Sequence, residues 1–542
     1  MRTTDVVIIG AGPVGLTLAL DLGRRGIRTL LVERREQVLR LPKMERTNPR
    51  SMEIFRRLGI ADRIRAAAYP ADASMDVLIL RSMTKPPLVH QHYPTVAQAR
   101  AAIAACTDGS LPREPYQLVS QYTLEELLHR EVAALDSVER RLGAELESLT
   151  QDDAGVTVRL RAAPPQAAEV RTRYVVGCDG ANSTVRERLG LRLEGRANLG
   201  AITNIFFRCD ELLARSQVAR GRHYLFAGVD ATGGAAGSLV VQDDQRHFGC
   251  HMPGELAADA DLSAELRRRT GLDIRPQILH AGRWVQNMMV AEAHGRARVF
   301  LAGDANHVYI PAGGLGMNTG IVDAANLAWK LAAVIQGWGG PRLLASYGIE
   351  RQAVARRNIR AVAYAVEGVV AWRKIPVPVE LEDAAAERRA RAAYASQVEP
   401  LNRRVYEMHG TELGYRYESP VICAERGEPP PDEAYRFRPT TWPGAHVPHL
   451  WLEPGVSLYD RLGPGFTLLR TGGAAPQAEV LAAALRRIGA PVTVAEVGGE
   501  AARGVLQRDL VLVRPDLHVA SRGDALPADP AGVAAAVTGQ AR

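Results

Sequence analysis

Residues 5–33, DVVIIGAGPVGLTLALDLGRRGIRTLLVE, leave few folds open to this chain. Asp5–Ile9 reads as an apolar strand and Gly10-x-Gly12-x-x-Gly15 as a tight turn. Residues 13–25 read as a helix with Val14, Leu18 and Leu22 on one face, and Arg28–Val32 as a second strand. That is a short right-handed βαβ unit of a parallel sheet. Gly10 permits the turn, Gly12 lets a pyrophosphate reach the backbone, and Gly15 lets helix and strand pack closely. The helix N-terminus meanwhile offers free N–H groups to the anion. Glu33 ends the second strand and can accept hydrogen bonds from a ribose. Its charge would repel a 2′-phosphate, so the adenosine expected here is unphosphorylated; FAD and NAD both satisfy the unit.

A second stretch decides between them. Arg298–Ala302 (RVFLA) has the composition of a buried strand, and Gly303-Asp304 follows at its C-terminal edge, where open α/β sheets hold ligands. A loop carrying Gly313, Gly314 and Gly316 then leads into an apolar helix through Ile321, Ala325, Ala328 and Leu331. Asp304 can hold polyol hydroxyls, and Asn318 or Thr319 is expected to cap the helix. Bare amides ending in a helix N-terminus favour partial negative charge. A reduced flavin carries such charge at N1 and the C2 oxygen, and NAD has no equivalent group.

These two stretches, with YVVGCDGANSTVR (174–186) between them, resemble the three ordered motifs of the single-component, class A flavoprotein aromatic hydroxylases. The resemblance implies the para-hydroxybenzoate hydroxylase fold: an α/β, Rossmann-like FAD-binding domain with a mostly antiparallel substrate-domain sheet. By the same resemblance, Gly10, Gly12, Pro13, Val14, Gly15, Glu33 and Arg34 bind the ADP half of FAD. Lys43, Gln121, Asp304, Pro311, Gly314, Gly316 and the Met317–Asn318 backbone bind its flavin half, and Asp179 and Arg186 serve both FAD and the reducing nucleotide. The implied reaction is reduction of FAD by NADH or NADPH, addition of O2 at flavin C4a, and transfer of one oxygen from that hydroperoxide to a phenolic ring. LPKMERTNPRSMEIFRRLGI (41–60) resembles the phenol and chlorophenol hydroxylase branch. Lys43, after Pro42, replaces a frequent arginine and loses its bidentate fork, and Asn306 replaces the usual small residue before His307.

The candidate catalytic residues are Lys43, Tyr224 and Pro311, and the candidate substrate contacts are Tyr224, His251, Trp284, Gln286, Met288 and Met317. With no second glycine βαβ unit, the nicotinamide nucleotide is expected to bind transiently over the FAD groove, lined by Lys43 and Arg50. Monooxygenases that tailor polyketides, antibiotics or heteroaromatic products carry the same motifs. A flavin-dependent halogenase, whose W-x-W-x-I-P stretch is missing, and a flavin sensor without turnover are more distant readings.

A chain of 542 residues exceeds one core. Residues 1–186 with 291–340 are expected to form the FAD-binding domain, and 187–290 the substrate domain, with a contribution from 70–115. Residues 341–425 are read as helical and 426–449 as a Pro-rich linker. Residues 450–542 resemble a thioredoxin-like domain and hold no cysteine, which excludes redox chemistry there. The five cysteines of the chain lie far apart with no C-x-x-C pair, so no disulfide framework and no metal site are expected. The net charge of +7 comes from arginines interleaved with acids, which does not suggest nucleic-acid binding. No apolar run is long enough to span a membrane and no signal peptide is read, so the cytoplasm is the expected compartment. The Ala- and Arg-rich helices of 340–415 are expected to support a homo-oligomer, with a dimer favoured.

Overall fold

In a computed structural model, residues 2–41, 43–162, 168–228, 237–257, 259–471 and 475–540 are described; Pro42 lies outside them. Arg2–Ile9 pairs in parallel with Thr29–Glu33 on one side and with Ala168–Gly177 on the other. Ala168–Gly177 in turn pairs in parallel with Val299–Leu301. Three parallel neighbours therefore bring the turns after Ile9, Gly177 and Leu301 to one edge of the sheet. The strands are apolar along their whole length because both faces are covered. Val6 and Ile8 pack toward the helices Pro13–Arg24 and Leu315–Ile335, while Val7 and Ile9 pack against the Ala144–Gln151 and Val156–Ala162 hairpin. Each aliphatic side chain fully buried this way contributes roughly 1.5–3 kcal/mol.

A seven-stranded sheet stands over that edge, ordered Gln277–Val285, Ala201–Arg208, His247–Pro253, Ser238–Val241, His223–Phe226, Val77–Leu80, Val89–Gln91. All pairs are antiparallel except His223–Phe226 with Val77–Leu80. Strand alternation splits its side chains into two faces. Ile205, Phe207, Tyr224, Phe226, Leu239, Phe248, Cys250 and Met252 form one apolar core with Leu266 of the helix Leu262–Thr270. Asn204, His223 and His251 take the opposite face.

Phe466–Arg470, the helix Ala475–Arg487 and Val492–Glu496 make a parallel βαβ unit. The antiparallel strands Leu510–Val513 and Val519–Gly523 and the helix Pro530–Val537 follow. This is the thioredoxin-like strand order. The stretch expected as a linker is a packed strap in its second half, where Thr440, Thr441 and Gly444–Leu450 are buried. Its backbone finds partners there: Gly444 N donates to Val519 O at 2.7 Å and Val447 N to Leu517 O at 2.9 Å. Among the described residues, no helix is long and apolar enough to cross a membrane.

Candidate active site

The three glycines of the first turn differ in what surrounds them. Gly10 has φ +104°, and a Cβ on it would overlap the Cys178 carbonyl; a Cβ on Gly15 would overlap the Gly10 carbonyl. A Cβ on Gly12 would meet nothing within 4 Å. Gly12 also caps the helix Pro13–Arg24 without a side-chain hydrogen bond, so the first-turn N–H groups face open space. Glu33 accepts from Ala11 N at 2.8 Å and Arg35 N at 3.1 Å, which aims its carboxylate across the turn, with Arg34 exposed beside it. Val14 fills the gap left by Gly303 and Gly320, pressing the two motif helices together.

The second helix starts at Leu315, with Gly314 as its N-cap at φ +65°, one turn earlier than the sequence suggested. Glycine reaches this left-handed conformation without strain, so neither Asn318 nor Thr319 caps the helix. The Asn318 amide instead donates to Arg46 O at 2.9 Å and Gly314 O at 2.6 Å and accepts from Asn48 N at 3.0 Å and Ser51 Oγ at 2.6 Å. Arg46 donates to Gly313 O at 3.3 Å and Tyr406 O at 2.9 Å, fixing the loop from below. A Cβ on Gly316, like one on Gly12, would meet nothing within 4 Å. Pro311 is exposed at the mouth of the loop.

Asp323 holds this turn in place. It accepts from Gly303 N at 3.0 Å, His307 Nε2 at 2.7 Å and Arg351 Nε at 2.7 Å. Burial opposes its charge, but His307 and Arg351 keep its carboxyl well below the ordinary carboxylate range. Asp304, next to this network, is open to solvent yet ringed by protein; its pKa is pushed up by the crowding, against the pull of His307 and Lys43. Lys43 is exposed and acts on both Asp304 and Glu125, and Gln121 donates to Glu125 at 2.7 Å. Asp179 accepts from Ser183 Oγ at 2.5 Å and Val185 N at 3.0 Å, securing its own turn. Arg186 donates to Ala181 O at 2.8 Å and Ala305 O at 3.0 Å, tying the middle motif to the last. Two open glycine cradles, two helix N-termini without side-chain caps and acids at both ends of one groove fit a bound FAD.

Facing this groove, His223 sits between two partners. Its Nε2 lies 3.1 Å from Glu45 Oε1 and its Nδ1 2.9 Å from the Tyr406 hydroxyl. A carboxylate only accepts, so Nε2 carries the proton and Nδ1 accepts from Tyr406. Burial would raise the Glu45 pKa, but the hydrogen bond from His223 and the charges of His223, His251 and Arg222 bring it down to about 2. Burial lowers the His223 pKa against the pull of Glu45, and pushes the Tyr406 phenol up to about 12.

Residues 3–362 match the family described as FAD binding domain, and residues 440–541 the one described as aromatic-ring hydroxylase, C-terminal. The chain belongs to the FAD-dependent aromatic-ring hydroxylases. The hydroxylase is 32% identical to FAD-dependent monooxygenase apdD of Emericella nidulans, over 96% of this chain and 88% of that protein. It is 33% identical to 2,4-dichlorophenol 6-monooxygenase of Cupriavidus pinatubonensis, over 98% and 94%. The structure of the rebeccamycin biosynthetic enzyme RebC with reduced flavin superposes with a TM-score of 0.87 at 32% identity, covering 100% of both chains. FAD is thus the cofactor, and the hydroxylase is a monooxygenase of aromatic substrates.

Not every expected contact sits in its pocket. Tyr224 is fully buried in the apolar core on the far face of the sheet, its hydroxyl accepting from Gly221 N at 3.0 Å. The neighbouring His223 takes the pocket position, because one step along a strand reverses the face. Met288 packs with Ile310 and Leu315, and Met317 against the nucleotide-fold core. Arg50 is buried away from the groove, donating to Glu53 at 2.9 Å and Leu413 O at 3.4 Å. It lines a separate cavity of about 260 Å³ with Arg57, Tyr415, Tyr417 and His518, which touches neither glycine motif. His251 does join His223, and half-buried Trp284, paired with Ile202, lies further along the same face; Gln286 follows half-buried against Gly200. Glu45, His223 and Tyr406 went unread in the sequence; the one available signal was an acid inside the otherwise motif-like MERTNPRSME.

Proposed function

We propose that the hydroxylase adds one oxygen atom from O2 to the ring of a phenolic substrate, using NADH or NADPH, with the substrate hydroxyl held against Glu45. Bound FAD supplies the chemistry that takes up two electrons and activates oxygen. It would be held by Gly12, Glu33, Gln121, Asp304 and the Gly314–Asn318 turn. The remaining work falls to the chain itself. The Glu45–His223–Tyr406 chain carries this reading: Glu45 stays ionised, and its free oxygen can accept a hydrogen bond and then the proton from a phenol, becoming a neutral carboxyl whose other oxygen still accepts from His223 Nε2. The seven-stranded sheet roofs the groove and excludes water. One relative is named for 2,4-dichlorophenol.

A second reading, a phenol fused into a larger aromatic natural product, is favoured by the width of the roof. His223 and Trp284 lie four strand spacings apart in the sheet order, about 19 Å, more than a single ring needs. Product analysis with simple phenols and with polycyclic phenols separates the two.

Glu45→Gln is expected to lower kcat/KM by about a hundredfold while leaving flavin content unchanged. The carboxylate pulls the His223 pKa up against the burial that lowers it, so its loss is expected to move the acid limb that His223 sets in the pH profile to lower pH. An unchanged rate and profile contradicts the assignment; loss of flavin makes Glu45 a structural residue.

A further inference from the structure

Asp76, His90 and His92 meet at the outer edge of the seven-stranded sheet, away from the flavin groove. Asp76 immediately precedes the strand Val77–Leu80, which pairs antiparallel with Val89–Gln91 in the register Val77 to Gln91 and Leu78 to His90. Val89 and Gln91 point inward and are buried, so His90 and His92, two residues apart, project from the outer face. The register sets Asp76 opposite His92. His90 Nε2 lies 2.7 Å and His92 Nδ1 3.1 Å from the same oxygen, Asp76 Oδ2, and the two imidazole centroids are 4.0 Å apart. One ligand atom from each residue falls within 4.8 Å of the others.

We propose that these three residues form a binding site for a divalent ion of the zinc, copper and nickel class. Two different ring nitrogens converge on one carboxylate oxygen. Ligand atoms bonded at 2.0–2.1 Å around such an ion are separated by roughly 2.9 Å in octahedral and 3.4 Å in tetrahedral geometry; the Asp76–imidazole distances of 2.7 and 3.1 Å lie within several tenths of an ångström of that span, and rotation of the exposed His92 ring adjusts the third pair. Two imidazoles with one carboxylate select borderline transition metals over magnesium or calcium. The carboxylate is already held, since its other oxygen accepts from Tyr93 N at 3.0 Å, the kind of supporting hydrogen bond that orients a metal ligand. His92 is largely solvent-exposed, its side chain 75% accessible, which leaves the remaining coordination positions to water.

The position also suggests what occupancy does. The ion would cross-link the last two strands of the sheet, and Tyr93, next to His92, packs on Tyr406 with ring centroids 5.8 Å apart. The bound ion therefore stabilises the roof of the substrate pocket without entering the groove, and flavin content should not depend on it.

Tag-free holoenzyme, stripped with a chelator and dialysed, is titrated with Zn2+ in a calorimeter, and a parallel sample loaded with one equivalent of Cu2+ is examined by electron paramagnetic resonance. One ion per chain is expected, with nitrogen hyperfine structure from two imidazoles. Binding should weaken at least about tenfold in both His92→Ala and Asp76→Asn, each retaining full flavin content. No saturable binding at up to about 100 equivalents of Zn2+, or binding of the same strength in both variants, overturns the proposal.

Discussion

Gly12→Val protein is expected to fold, to elute as the wild type does, and to emerge without bound flavin. The site allows a clean test because the three glycines of the turn have different surroundings. Gly12 has φ −75°, which valine adopts, and no protein atom lies within 4 Å of where a Cβ would stand. The space a side chain would fill is the space into which the first-turn N–H groups point, where the pyrophosphate belongs. Excluding it should weaken FAD binding by about a thousandfold or more, ~4 kcal/mol. Gly10→Ala should behave differently. Its φ of +104° and the overlap with the Cys178 carbonyl put the damage into the βαβ unit itself, so this variant is expected to be insoluble or unfolded. Absorbance near the flavin bands and circular dichroism of both variants make the comparison. A Gly12→Val protein with one flavin per chain contradicts the assignment of the groove.

Arg514→Ala is expected to cost ~3–5 kcal/mol, most of it in the attachment of the C-terminal domain. Arg514 donates to Glu350 at 2.7 and 2.9 Å and to Asp516 at 2.6 Å, and Lys330 donates to the same Glu350 at 2.7 Å. Side-chain exposure across these four groups is 0–4%. Burial opposes every charge, yet Asp516 and Glu350 hold Arg514 well above its ordinary value, and Arg514 and Lys330 hold Glu350 well below its own. Lys330 itself is brought down to about 8, chiefly by burial. Without Arg514, two buried carboxylates would share one weakened ammonium. Hydrogen exchange should show residues 510–523 opening before the motif sheet, and thermal unfolding should gain an early transition. A cost below about 1 kcal/mol, the range of an exposed pair such as Arg159 with Glu147, contradicts this account.

The first βαβ turn and the strand end before Gly303 were legible in the sequence, because glycine spacing and apolar strand runs are local signals. That Glu33, Gln121 and Asp304 hold FAD is part of the proposed function. The substrate face was harder to read. Along His223-Tyr224-Leu225-Phe226, burial on one face and contact on the other differ by a single residue, and only pairing with Leu239 and Val240 shows which is which. Asp323, Asn326 and Lys330 stand at helical spacing in an otherwise apolar helix, a visible sign of a polar seam. Their partners Arg351, Glu350 and Asp516 lie up to 190 residues away in sequence, and no periodicity links them. Arg50 misled because its neighbours resemble a groove-lining motif while its own guanidinium turns to Glu53.

The central claim is that one groove, built from three strand ends, holds FAD beneath an antiparallel roof and passes oxygen to an aromatic ring. The most direct measurement is turnover under 18O2 with NAD(P)H and a panel of phenols, read by mass spectrometry of the product. A ring-hydroxylated product carrying one 18O atom, formed with substrate-stimulated NAD(P)H oxidation by flavin-loaded protein, is the predicted result. A product whose new oxygen comes from water, or NAD(P)H oxidation that no aromatic compound stimulates and that yields no product, would contradict it.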